Sequence, residues 1–101
     1  MARVAAFLKL GLAQGCSDIH LAVGVPPMLR MHGDLMPIKF RDLGDTELEG
    51  YIAEILTANQ RKRFDEGHDL DFSYVSEDKG RFRVNVFRKE TGIGATFRFI
   101  P

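Results

Sequence analysis

The chain has 101 residues, 45% of them hydrophobic and 28% charged, and its 14 basic and 14 acidic side chains cancel. That is one domain of ordinary globular composition, too apolar for a disordered chain and too balanced for a protein whose main task is to neutralise a nucleic-acid backbone. A lone Cys16 allows no internal disulfide, and no apolar run reaches the roughly 20 residues of a membrane-spanning helix.

The opening run from Met1 to Cys16 is apolar and ends at a cysteine, as a secretory or lipoprotein leader would. Lys9 and Gln14 interrupt it, and helical spacing of Val4, Phe7, Leu8 and Leu12 accounts for it better, which points to a cytoplasmic chain. Gly15 supplies a left-handed stop. Ser17 to Val23 then alternates, with Ile19, Leu21 and Val23 inward and Asp18 and His20 on the other face. Gly24 to Pro27 reads as a turn, Met28 to His32 as a second strand, and His32-Gly33-Asp34 as a tight link into a third, Leu35 to Phe40, which Pro37 confines to an edge or a bulge.

Thr46 and Glu49 have the spacing of a capping box, opening a helix whose apolar stripe is Leu48, Tyr51, Ile52, Ile55 and Leu56. Thr57 and Gln60 repeat that logic for a shorter helix, Ala58 to Glu66, with Phe64 inward and Arg61, Lys62 and Arg63 outward, stopped by Gly67. Asp69 to Val75 is the fourth strand, its Leu70, Phe72 and Tyr74 opposed by Asp69, Asp71 and Ser73. The order is helix, three strands, two helices, three strands. Without βαβ alternation, this predicts an α+β fold: a mainly antiparallel sheet of about six strands with helices packed on one face.

The clearest alternation lies in Gly80 to Pro101. Phe82, Val84 and Val86 oppose Arg81, Arg83 and Asn85 in one strand, and Ile93, Ala95, Phe97 and Phe99 oppose Gly94, Thr96 and Arg98 in the next. Matching the apolar rows puts Val86 opposite Ala95 and Val84 opposite Phe97, leaves Lys89 to Gly92 as the loop, and sets Arg83 directly across from Arg98. Like charges so placed destabilise a sheet by up to about 1 kcal/mol, so an anion should stand beside them. If Tyr74 pairs with Phe82, Ser73 lies next to Arg83 and Asp71 is its diagonal neighbour. Two readings follow: a surface salt-bridge lattice, the simpler one on spacing alone, or a phosphate or carboxylate of a partner held between two guanidiniums.

Other chemistry finds little support in the residues. No Gly-rich turn ends in Gly-Lys-Ser/Thr, and Gly92-Ile93-Gly94 reads as hairpin. His20, His32 and His68 with Asp18, Asp69 and Asp71 fit no metal-ligand spacing. Cys16 has no evident base and reads as a packing residue. The run Arg61-Lys62-Arg63 is more simply a solvated helix face than a nucleic-acid contact.

Three blocks carry a resemblance across nearly the whole chain: GCSDIHLAVGVPPMLRMHGDLMPI, LTANQRKRFDEGHDLDFSY and RFRVNVFRKETGIGATFRFIP. Together they resemble the N-terminal, PAS-like domain of type IV pilus retraction ATPases, the PilT type of the secretion-ATPase superfamily. The resemblance implies a single domain over residues 1–101 that precedes a RecA-like ATPase domain, absent from this chain together with its Walker A and B motifs. It further implies an ATP- and Mg-dependent hexameric ring that drives twitching motility from the cytoplasmic side of the inner-membrane pilus base. The partners implied are the chain's own ATPase domain, neighbouring subunits and the pilus machinery. Family arginines on this strand pair reach nucleotide phosphates, a role that passes to Arg83 and Arg98 as candidate arginine fingers and less firmly to Arg81. No metal ligand, and no ATP hydrolysis by the chain in isolation, is expected. Alternatives are the pilus-assembly and type II secretion ATPases, which usually carry more sequence ahead of helix one, and a stand-alone PAS-like sensor, which needs a polar-lined internal cavity.

Overall fold

The computed structural model describes residues 2–101. These form α1 (Ala5–Gln14), β1 (Asp18–Ala22), β2 (Met28–Met31), β3 (Asp34–Pro37), α2 (Asp45–Ala53), α3 (Ala58–Asp65), β4 (Leu70–Val75), β5 (Arg81–Lys89) and β6 (Gly92–Ile100). The element order is the one that hydrophobic periodicity predicts. All six strands join one antiparallel sheet in the order β3-β2-β1-β6-β5-β4. The chain's first and last strands therefore lie side by side at its centre.

The helices cover one face, α1 against β1, α2 against β6 and α3 against β4. Between the layers lies the core, built on the sheet side from Ile19, Leu21, Phe82, Val84, Val86, Ala95 and Phe97 and on the helix side from Val4, Phe7, Leu8, Leu48, Tyr51, Ile52 and Phe64. The side chains alternating with those sheet residues point to the opposite face, which carries no helix. This is the α+β, PAS-like layer expected, with the polar rows left open.

Local chemistry sets most boundaries. Gly15 ends α1 in the left-handed region at φ 75°, and its N–H bonds back to the last turn. Thr57 caps α3: its hydroxyl accepts from the Gln60 N–H at 3.2 Å while Gln60 Oε1 accepts from the Thr57 N–H at 2.9 Å. His32 (φ 51°) and Gly33 (φ 89°) are both left-handed, making a two-residue hairpin that closes β2 at Met31, one residue short of the expected end. Edge strand β3 stops at Pro37 rather than Phe40, and the Ile38 N–H turns to the Pro27 carbonyl.

Three further expectations are corrected. The Thr46–Glu49 box does not form, because Gly44 is the N-cap of α2 and Glu47 reaches back to its N–H at 3.3 Å. Leu43 is buried, and its backbone exchanges hydrogen bonds with Gly24 and Val25, which fixes the entry to α2 just ahead of Asp45. Since α2 ends at Ala53, Ile55 and Leu56 belong to the link before α3 rather than to its stripe, although Ile55 is still buried. The β5–β6 loop is also shorter than expected: Lys89 pairs with Gly92, so only Glu90 and Thr91 connect the strands.

Candidate functional site

Arg83 lies directly across from Arg98 in the β5–β6 ladder, with Val84 opposite Phe97 and Val86 opposite Ala95, the register that the apolar rows require. Both guanidiniums are on the open face and both are solvent-accessible, their side chains 55% and 72% exposed. The geometry that would defeat an anion site, burial against the helices or splaying to different faces, is not what the fold adopts. Arg81 follows the same alternation, exposed between Val75 and Ile100, and makes no ion pair among the described residues.

The repulsion is relieved from the outside of the pair. On β4, Asp71 takes Arg83 in a bidentate grip, Nε to Oδ1 at 2.7 Å and Nη2 to Oδ2 at 3.0 Å, the diagonal contact that the register predicts. On β1, Asp18 is the ladder partner of Arg98, with Arg98 Nη2 at 3.5 Å from its Oδ2. Across β1, β6, β5 and β4 the charges thus run negative, positive, positive, negative. Hydrogen bonding from Arg83 holds the Asp71 carboxyl below its ordinary range, and that carboxylate in turn raises the Arg83 guanidinium.

The two carboxylates differ in burial. Asp71 is half exposed, whereas the Asp18 side chain is only 7% exposed. Arg30 of β2 flanks Asp18 on its other side, and its Nη1 donates to the Gly33 carbonyl at 2.7 Å. His20, next on the same face of β1, places Nε2 at 3.9 Å from Asp18 Oδ2, and that nitrogen is buried with no hydrogen-bond partner among the described residues. Burial lowers the His20 pKa; the Asp18 carboxylate opposes this, while Arg30, Arg98 and Lys89 add to it. Local alternation puts Asp18 on the polar face but gives no sign that it is buried beside Arg98. The signal would have been the pairing of β1 with β6, which no local pattern encodes.

Elsewhere the structure is bland. Among the described residues no cluster of three or more His, Cys, Asp or Glu side chains could hold a metal, and His32 and His68 are exposed. Cys16 is buried, and burial, with Asp18 adding, pushes its thiol up, the opposite of an activated nucleophile. A cleft of about 250 Å³ separates α2 and α3 from the β5–β6 hairpin; of its charged lining, Arg61 pairs with Glu49 and Asp65, and Arg88 stacks 3.7 Å from the Phe64 ring centroid. It is a cleft open to solvent that reaches the core residues Ile52, Phe64 and Ile93, not the enclosed, polar-lined internal cavity of a ligand sensor.

Comparison with known proteins decides the family. Over 94 residues, 93% of the chain, it is 42% identical to the type IV pilus retraction ATPase PilT of Pseudomonas aeruginosa. This chain is an N-terminal domain of the PilT type of secretion ATPase. It is also 30% identical over 92% of its length to the type IV pilus ATPase PilU of the same organism. It spans only 27% and 24% of those two relatives. Among solved structures, the pilus retraction motor PilT with bound ADP matches all of the chain at a TM-score of 0.89 and 29% identity, the chain covering 30% of it. The ATPase DotB of Legionella pneumophila matches 97% at 0.84 and 29% identity, with 29% of that protein covered. No family model matches this chain. Type IV pili and twitching motility are thus the setting of its relatives.

Proposed function

We propose that this domain serves a hexameric type IV pilus retraction motor, working from the cytoplasmic side of the inner-membrane pilus base. It presents Arg83 and Arg98, with Arg81 beside them, to the phosphates of a nucleotide held by a RecA-like ATPase domain outside these 101 residues. Its partners are that ATPase domain and neighbouring subunits of the ring. Nucleic acid has no place in this reading, and pilus-assembly and type II secretion motors are its nearest rivals.

The observation that carries the reading is the directly opposed pair, exposed on two rigid, paired strands. Guanidiniums suit phosphate because their planar forks bind two oxygens at once, and strands hold them with little ordering cost. A phosphate between them would offset a repulsion now relieved only from outside by Asp71 and Asp18. The residues present suit a polyphosphate rather than a metal, so Mg would be held by the ATPase domain. ATP, when bound there, supplies the free energy of phosphoanhydride hydrolysis. This domain's own side chains bind and orient its phosphates, excluding nothing and moving no proton in the bond-breaking step. Hydrolysis by the isolated chain is not expected.

The test is ATP turnover by the domain joined to its ATPase domain, with Arg83→Ala and Arg98→Ala. An arginine finger is worth about 10³ to 10⁵ in rate, so turnover should fall by at least about 10³ in one of the two variants while the ring still assembles. Undiminished turnover in both would remove the finger role.

A further inference from the structure

Two side-chain nitrogens, one on a guanidinium and one on an imidazole, address the same oxygen of Asp18. Arg98 Nη2 lies 3.5 Å and His20 Nε2 3.9 Å from Oδ2, and the carboxylate is almost wholly buried. A buried carboxylate stripped of its cation loses far more than an exposed one, because water cannot replace the partner. Arg83 can leave Asp71 at small cost, since that carboxylate stays half exposed. Arg98 cannot leave Asp18 on the same terms.

His20 is the group able to take over. Its Nε2 is unpartnered and already points to the vacated oxygen, while Thr96 Oγ1 stands 3.5 Å from Nδ1 on the ring's other side. The charged groups around it are Asp18 on its own strand, Arg30 from β2, Arg98 from β6 and Lys89 from β5; α1 packs on the opposite face of β1. Withdrawing Arg98 removes a repelling charge and leaves Asp18 in need of a donor, and both changes favour the imidazolium. We infer that Asp18 is a carboxylate shared between Arg98 and His20, so that drawing Arg98 onto an anion is coupled to proton uptake by His20. The coupling rests on the phosphate-contacting reading above and adds a proton to it. In balance, one proton comes from solvent to His20 Nε2, and Nε2–H then donates to Asp18 Oδ2 in place of Arg98.

NMR titration of the His20 ring protons in this chain tests it, with pyrophosphate as the anion. Arg98→Ala should raise the His20 midpoint by roughly one pH unit, the scale of a close neighbouring charge. With Asp18→Asn in place, the same replacement should move it much less, because no carboxylate remains to be shared. Arg30→Ala, whose guanidinium is held by Gly33, should shift the midpoint equally in both backgrounds. Saturating pyrophosphate should raise the wild-type midpoint and leave that of Arg98→Ala alone, a measurement that needs no substitution at buried Asp18. Equal Arg98→Ala shifts in the two Asp18 backgrounds would mean simple through-space repulsion and would overturn the inference. So would pyrophosphate that perturbs β5 and β6 amides without moving the His20 midpoint. If pyrophosphate perturbs nothing, the phosphate-contacting reading falls and takes the proton linkage with it, and the Arg98–Asp18 cycle alone decides whether the carboxylate is shared.

Discussion

Arg83 and Asp71 form a strong-looking contact that should contribute little to folding, and that is what the proposed exchange of Asp71 for a phosphate requires. Their bidentate bonds at 2.7 and 3.0 Å lie in solvent, where water screens the attraction and such pairs add little, and the facing Arg98 subtracts from what remains. Arg83→Ala should therefore leave the midpoint of a urea titration nearly unchanged while weakening pyrophosphate binding. Asp71→Asn should do the reverse for affinity, tightening pyrophosphate because the rival acceptor has lost its charge; unchanged affinity by calorimetry would show that Asp71 does not compete. His20 has its pKa lowered in the fold, so the unfolded chain binds its proton more readily. Its stabilising contribution is therefore fully present above the unfolded pKa, about 6.5, and is lost as pH falls through the lower folded value. The urea midpoint should drop on acidification from about pH 7.5 to about pH 5.5, and less so in His20→Gln.

At the scale of elements, the same spacing rule worked at one helix and failed at another. Thr57 and Gln60 form the box that their separation announces, and Thr57→Ala should cost about 1 kcal/mol, visible as a lower melting temperature. Thr46 and Glu49 have equal credentials but lose to Gly44 and Glu47, because the buried Leu43 and its backbone bonds to Gly24 and Val25 fix where α2 begins. That anchor is tertiary, and nothing within the helix records it. Gly11 carries a comparable lesson. In the interior of α1 an alanine would gain up to about 1 kcal/mol of helix propensity. Its added methyl, however, would stand 2.7 Å from Ile19 Cδ1 and 2.8 Å from Cys16 Sγ, an overpacking that costs about 1 to 3 kcal/mol. The Gly11→Ala protein should be destabilised in a thermal melt, the clash outweighing the propensity.

For the whole molecule, strand periodicity made the β5–β6 register legible to the residue, and with it the facing arginines. The sheet order was not legible. Asp18 and Arg98 come from opposite ends of the chain, and their adjacency depends on β1 inserting beside β6, a long-range pairing with no local pattern. The site's buried half was hidden for that reason. Its exposed half, Arg83 with Asp71, was visible because one local hairpin and its neighbour contain it.

The central β1–β6 seam also governs when the domain can come into being during synthesis. The segments β3-β2-β1 and β6-β5-β4 are each built from neighbouring strands, but they join only along that line. A ribosome emitting the chain from its amino end must release nearly all of these 101 residues before β6 can zip the halves together. Until then the apolar side of β1, Ile19 and Leu21, lacks the neighbour that flanks it in the native sheet. Such non-local closure is slow, and the waiting strand edge is open to wrong partners, so nascent chains stalled before β6 should depend on chaperones more than the finished domain does.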